Sequence, residues 1–380
     1  MSMGKPVYLD YNATTPIDPE VIEEMLPYFQ TGFGNPSSSY SIGSENLRAV
    51  NLARKQVAAL INARPEEITF TSGGTESNNH AILGTAIAHQ GKGKHLITSE
   101  IEHPAVTNVC LHLAAQGWEI TWLPVDKAGR VNPKDLENAI RPDTVLVSIM
   151  HANNEVGTIQ PIKEISEIIR HKNILLHTDA AQSIGKLKTD VEALGVDLLT
   201  IAGHKLYAPK GIGALYVKNG VDIENLMFGA GQEEGVRPGT ENVAYIAALG
   251  KACEISAGNF DKNYQHMYDM REKILEGLLL SLKNIRVNTD LSNSLPNTLS
   301  IAFDKVDAHK LTSLISNEVF ISTGSACHSG QTEISPVLKA MKIDLSTAAG
   351  TVRISTGKYT TEEEIEFAIE VISRAVQKLS

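Results

Sequence analysis

An α/β chain with a mainly parallel sheet, followed by a smaller α+β domain, is predicted by three observations. Short β-branched runs alternate with amphipathic helical patterns from about residue 65 to 220. A long helical stretch, roughly 241–282, then breaks the alternation. Beyond it, strand-like runs at 298–303, 320–322 and 352–355 are interleaved with helices. Such alternation means βαβ units around a sheet buried on both faces. At 380 residues the chain exceeds one compact core, so two domains are expected. The expected division gives 15–258 to the large domain, and 1–14 with 259–380 to the small one.

Seven apolar runs supply the strands of the large domain: 68–71, 95–98, 118–124, 145–150, 174–177, 198–201 and 213–217. Helical patterns at 76–89, 104–116 and 162–170 lie between them. The last helix opens on a capping box, Thr361 to Glu364. Its apolar stripe runs through Ile365, Phe367, Ala368, Ile372, Val376 and Leu379.

Bulk properties exclude several classes. The net charge is -10, and Lys and Arg cluster nowhere, which argues against a nucleic-acid or anionic-membrane partner. No apolar run approaches the ~18 residues of a membrane span. The N-terminus reaches polar turn residues at once and does not read as a secretory signal. Three cysteines, Cys110, Cys253 and Cys327, are odd in number and far apart, which suits a reducing compartment. A cytoplasmic location is expected.

In parallel α/β sheets ligands bind at the carboxyl ends of the strands, so the residues just after each run carry the functional reading. After 68–71 come Ser72-Gly73-Gly74-Thr75-Glu76-Ser77 and a helix. Two glycines admit an anion, the helix N-terminus offers free N–H groups, and Thr75 adds a hydroxyl. The competing reading is a glycine turn with Thr75 or Ser77 as the cap. After the next run comes His103, placed to stack on an aromatic cofactor and move protons, or simply to open a helix. Asn154 follows 145–150, either as a hydrogen-bond partner of a ring oxygen or as part of a polar Asx turn.

Asp179 and Gln182 follow 174–177, and His204 and Lys205 follow 198–201. A carboxylate at one strand end and a lysine at the next is what holding pyridoxal 5′-phosphate requires. The amine forms a Schiff base with the aldehyde, and the carboxylate keeps the pyridine nitrogen protonated. Five strand ends thus deliver a phosphate cradle, a stacking imidazole, a ring-oxygen partner, a pyridinium partner and the lysine.

Cys327 lies in Thr323-Gly324-Ser325-Ala326-Cys327-His328-Ser329-Gly330, whose small residues predict a mobile, accessible loop. Cys110 and Cys253 sit in helical, partly apolar surroundings and read as buried structural residues. His328 stands beside the thiol, where it can aid ionisation. Arg353, late in the chain, reads either as a clamp for an amino-acid carboxylate or as a solvated arginine.

With these residues in place the chain resembles the NifS/IscS-like cysteine desulfurases and the selenocysteine lyases, within the class V aminotransferases. The resemblance runs nearly end to end. It includes Asp10-Tyr11-Asn12-Ala13-Thr14-Thr15, Ser72-Gly73-Gly74-Thr75-Glu76-Ser77-Asn78, His177-Thr178-Asp179-Ala180-Ala181-Gln182, Gly203-His204-Lys205, Arg237-Pro238-Gly239-Thr240-Glu241-Asn242 and Gly324-Ser325-Ala326-Cys327. It implies the pyridoxal-phosphate-dependent transferase fold of type I with a seven-stranded sheet. It also implies a homodimer in which Thr240 of one chain completes the phosphate site of the other.

The same resemblance implies that Asn12, Ala13 and Asn297 help line the substrate pocket, and that Gln182 bonds the ring oxygen beside Asn154. Lys205 takes the α-proton of L-cysteine, and Cys327 as thiolate attacks the substrate sulfur. The products are alanine and a persulfide that passes to an acceptor protein, in iron–sulfur cluster assembly or thiolation. L-selenocysteine is the alternative substrate. An aminotransferase or β-lyase on the same scaffold would have no use for the thiol, and a non-catalytic assembly subunit no use for Lys205.

Tyr40 stands where many of these desulfurases have histidine, and Cys327-His328-Ser329 is close to the lyases. Ala202 stands where a phosphate-binding serine is common, so one hydrogen bond, ~1 kcal/mol net, is expected to be missing. The chain stops at Ser380, without the C-terminal extension that docks a scaffold in IscS-type enzymes, so no such scaffold partner is expected.

Overall fold

The computed structural model describes residues 6–328 and 331–380, and the side chains of 325–333 fall outside what it describes. Strand β1 (Val7–Tyr8) belongs to the N-terminal segment. Strands β2 (Ile68–Thr71), β3 (His95–Ser99), β4 (Glu119–Leu123), β5 (Thr144–Ser148), β6 (Leu175–Asp179), β7 (Leu198–Ala202) and β8 (Gly213–Val217) form one sheet in the order β2-β8-β7-β6-β5-β3-β4. From β7 through β4 all pairings are parallel, while β8 runs antiparallel to both of its neighbours. The seven runs expected from sequence are these seven strands. Every residue of β2, β3, β5 and β7 is buried, as a sheet covered on both faces demands.

The second sheet is built from β9 (Ile285–Val287), β10 (Thr298–Phe303), β12 (Ser322–Thr323) and β15 (Thr351–Ser355), in the order β12-β15-β10-β9 and antiparallel throughout. Strand β11 (Val319–Phe320) pairs in parallel with β1, and β13 (Ser325–His328) pairs antiparallel with β14 (Gln331–Ile334). The single run expected at 320–322 is therefore two strands in different sheets, with Ile321 passing between them.

Three other expectations are corrected. The helical stretch 241–282 is two helices, Val243–Gly258 and Phe260–Ser281, broken at Asn259, whose backbone (φ -121°, ψ 17°) leaves the helix. Gly258-Asn259 is a helix stop, and an overall helical pattern hides it. The helix expected over 76–89 is continuous, but a widened π-type turn at His80–Gly84 interrupts it between Gly74–Asn79 and Thr85–His89. In the last helix, Glu362–Leu379, the Thr361–Glu364 capping box is present, and Ile365, Ala368, Ile372 and Val376 are buried. Phe367 is exposed, because it lies a helical step off the stripe those four residues define.

Buried apolar residues fall into two main clusters. One lies against one face of the seven-stranded sheet, with Ile97, Val147, Leu199 and Ile201. The other joins Val7 and Leu9 to Ile274, Leu299, Val352 and Ile372, so the N-terminal segment packs with the C-terminal third of the chain. Residues Val337, Leu338, Met341, Ile343 and Ala348 pack with the first cluster. A third, smaller group, including Leu96, Val106, Cys110 and Leu146, covers the other side of the seven-stranded sheet. Cys110 and Cys253 are buried and unpaired, as expected of structural residues.

Candidate active site

A cleft of about 440 Å³ opens at the carboxyl ends of the parallel strands. Eleven residues singled out from sequence line it: Asn12, Ala13, Gly74, Thr75, His103, Asn154, Asp179, Gln182, His204, Lys205 and Arg353. Each of β2, β3, β5, β6 and β7 ends at this cleft, which is why residues spread over half the chain converge.

The loop after β2 turns sharply at Gly73, with φ +144°. An L side chain is strained there, and a Cβ added at Gly73 would meet no atom within 4 Å, so the backbone is open to a ligand. The helix that begins at Gly74 has Gly73 as its cap residue, with no side-chain cap, which removes Thr75 and Ser77 from that role. Its first-turn N–H groups have no partners within the helix, as binding an anion requires. Ser77 Oγ instead meets Thr71 Oγ1 at 2.8 Å. Glu76 accepts from the Ser72 N–H (2.7 Å) and from Arg237 Nε (2.9 Å), tying the 237–240 segment to this loop.

Asp179, at the end of β6, accepts from the Ala181 N–H at 2.9 Å and from Asn78 Nδ2 at 2.7 Å. The two donors fix the carboxylate in the cleft. Asn78 also lines the cleft and has its Oδ1 buried without a partner. In the sequence it closes the 72–78 motif, one helical turn after Thr75, without a role assigned to it.

Lys205 donates from Nζ to the carbonyls of Asn12 and Ala13, each at 2.6 Å. Burial, assisted by the nearby Arg353 cation, pushes the amine down to about 8, while Asp10 and Asp179 act in the opposite sense. An amine this acidic is a competent nucleophile near neutrality. His103 caps the helix Pro104–Ala115, its Nδ1 accepting from the Ala105 N–H at 3.1 Å. The neutral ring therefore carries its proton on Nε2. Burial and Lys205 lower its basicity, against Asp179, which raises it. His204 meets Thr14 Oγ1 at 3.1 Å and is held down at about 4 by burial and the Lys205 and Lys210 charges. Beneath His103, Glu102 is fully enclosed, accepts from Ser99 Oγ and the Met150 N–H, and is pushed up to about 8 by burial.

Arg353 is 8 % exposed, which removes the solvated alternative. It pairs with Asp10 and donates to the Asn154 carbonyl at 3.0 Å, but its Nε is buried without a partner. Such an orphan donor is costly unless a ligand accepts from it. Asn297 does not line the cleft. It is buried behind Asn12, donating from Nδ2 to Asn12 Oδ1 at 3.0 Å. Thr240 is exposed and lines no part of the cleft either. Ala202 places a methyl on the cleft wall, and Tyr40 is exposed before a helix. Cys327 lies in β13, so its backbone is paired where a mobile loop was expected. Its side chain and that of His328 lie outside the described residues.

The donor set fits pyridoxal 5′-phosphate: an amine for the aldehyde, a fixed carboxylate for the ring nitrogen, an imidazole beside them, and a glycine-lined helix start for the phosphate. If Lys205 is the condensing amine, uptake of the cofactor by cofactor-free protein will speed up as pH rises through about 8. A midpoint near the ordinary lysine value of ~10.4 would contradict the burial argument.

The Aminotransferase class-V family model matches residues 7–367. Cysteine desulfurase IscS of Clostridium botulinum (strain Hall) is 46 % identical, over 99 % of this chain and 96 % of the relative. Cysteine desulfurase IscS of Methanosarcina thermophila is 47 % identical, over 99 % of this chain and 93 % of the relative. Among solved structures, a NifS-like protein superposes with a TM-score of 0.93 at 38 % identity, covering 98 % of this chain and all of that one (100 %). SspA in complex with cysteine gives 0.83 at 36 % identity, covering 94 % and 100 % respectively.

Proposed function

Since the chain belongs to the class-V aminotransferase family, we propose that it is a pyridoxal-phosphate-dependent cysteine desulfurase, converting L-cysteine to L-alanine. The observation that carries this is the convergence of Lys205, Asp179, His103 and Arg353 on one cleft at the strand ends. When bound, the cofactor supplies an electron sink for the bonds at the substrate α-carbon.

The residues do the rest. Arg353 offers its unpaired Nε to the substrate carboxylate, with Asn12 and Asn154 beside it. Gly74, Thr75 and the helix start would hold the phosphate, Asp179 would keep a proton at the ring nitrogen, and Asn154 and Gln182 would bond the ring oxygen. Lys205, with its lowered basicity, removes the α-proton at Nζ. The Cys327 thiolate attacks the substrate Sγ. An S–S bond forms as the Cβ–Sγ bond breaks, and the carbon fragment takes up protons to leave as alanine. The persulfide on Cys327 then passes to an acceptor thiol in iron–sulfur assembly or thiolation.

The same reading includes a homodimer, with Thr240 of the partner subunit completing the phosphate site. The exposed Thr240, tethered through Arg237 to Glu76, and the exposed aromatic residues Phe33 and Phe228 support it. The division into 15–258 and 1–14 with 259–380 is supported by the two main buried clusters, apart from Val337, Leu338, Met341, Ile343 and Ala348, which pack with the first. Among the described residues no helix is long and apolar enough to cross a membrane, and two unpaired buried cysteines agree with a reducing, cytoplasmic setting.

Incubating the protein with L-cysteine and L-selenocysteine separately, and measuring alanine with the released chalcogenide, tests the reading. Alanine from L-cysteine in step with sulfur transfer is expected. Brisk selenide release with negligible sulfur from L-cysteine would overturn it.

A further inference from the structure

Behind the cleft lies a buried amine that the proposed chemistry does not use. Lys186 is 5 % exposed and, among the described residues, forms no ion pair with a carboxylate. Its Nζ donates to two side-chain amides instead, to Asn12 Oδ1 at 3.2 Å and Gln182 Oε1 at 3.1 Å. Both amides belong to residues that line the cleft, and Lys186 itself does not. We propose that Lys186 is a positioning residue that locks the side-chain amides of Asn12 and Gln182 in the one orientation the site can use.

The reason is donor arithmetic. Burial pulls Lys186 down to about 7, but charged or neutral the amine has the two N–H groups these contacts use, and each amide turns its oxygen toward it. Gln182 Nε2 is thereby aimed at the Asn12 carbonyl, 3.0 Å away, with its second N–H left for the cleft. That same carbonyl accepts from Lys205 Nζ. For Asn12 the lysine shares this role: Oδ1 also accepts from Asn297 Nδ2 (3.0 Å), while Nδ2 donates to the Asn154 carbonyl (3.2 Å) and to Thr298 Oγ1 (2.8 Å). A flipped Gln182 would present an acceptor where the ring oxygen is expected and would face Lys186 with N–H against N–H. Packing alone does not explain an amine here. Burial and the Lys205 and Arg353 cations all disfavour its charge, and a methionine would fill the volume without that cost.

The inference rests on the desulfurase reading, and its test separates the two. Holoenzyme carrying Lys186→Met is compared with wild type by thermal unfolding, by the pH titration of the cofactor's visible absorbance, and by kcat/KM for L-cysteine. The variant is expected to unfold no earlier than wild type. Its absorbance midpoint should move up by about one pH unit, because an oriented N–H donor to the ring oxygen is lost. kcat/KM should fall on the order of tenfold. Lys186→Gln, which keeps an N–H donor without the charge, should fall between. An unchanged midpoint with kcat/KM within about twofold of wild type overturns the assignment. Should Lys186→Met not fold, Lys186→Gln carries the test, and a wild-type midpoint there overturns it equally. A wild-type protein without any visible band overturns the functional reading, and this inference with it.

Discussion

Lys205→Ala will lose the visible cofactor band and will release sulfur from L-cysteine at least roughly 1000-fold more slowly, while folding normally. Lys205 is the one lysine among the described residues that lines the cleft, so no other amine there can condense with an aldehyde or take the α-proton. Its two hydrogen bonds go to main-chain carbonyls in the turn after β1, and both carbonyls regain partners from water when the cleft is open. Removing a partly desolvated amine also relieves a burial cost, so thermal unfolding should move by no more than a few degrees. Absorbance, sulfide release and a melting curve measured on one preparation check all three parts. A variant that retains the band, or a few per cent of the activity, would show that another group holds the aldehyde.

Cys327→Ala has the second largest expected effect, and its signature differs. The variant keeps the visible band, still exchanges the substrate α-proton with solvent, but forms no persulfide and loses sulfur transfer by at least roughly 100-fold. The backbone around β12 and β15 ties the Cys327 segment to the cleft. Ser322 in β12 pairs with Arg353 in β15, and the Gly324 N–H donates to the Thr351 carbonyl at 2.9 Å. The β13–β14 hairpin is thus anchored at the cleft's edge, and Cys327 stands five residues past Ser322, within roughly 17 Å of extended chain. Mass spectrometry of wild type after L-cysteine should find one added sulfur on the Cys327 peptide, absent from the variant. Undiminished sulfur release by Cys327→Ala would point to a β-lyase working without a thiol.

Much of the fold was legible in the chain because local physics repeats along it. The β-branched runs that became β2 through β8 are short, nearly continuous and separated by helical patterns, which a sheet buried on both faces requires. Site residues such as Gly74, His103, Asp179 and Lys205 were readable because each ends a strand or follows one within four residues, and strand ends are where this architecture gathers its ligands. Boundaries were less legible. Asn259 ends a helix inside an unbroken helical pattern, and Ile321 switches sheets within what reads as one strand. The first turns on a two-residue stop that a helical pattern masks, the second on which sheet each half of the segment joins.

Arg353, Asn297 and Lys186 mark the limit. Whether Arg353 is solvated or buried, whether Asn297 touches the cleft or stands behind Asn12, and what Lys186 does are all questions of which distant residues become neighbours. Lys186 and Asn12 are 174 residues apart in sequence, and Asn297 and Asn12 are 285 apart. Sequence alone determined the order of the elements, the cleft's place at the strand ends and the chemical types gathered there, because those follow from periodicity and from motifs within a few residues. Tertiary structure alone decided which donors meet which acceptors, which cations lie close enough to lower one another's basicity, and which polar atom is left waiting for a ligand. Hydrogen bonds and desolvation act over a few ångströms of space, and only the packed chain sets those distances.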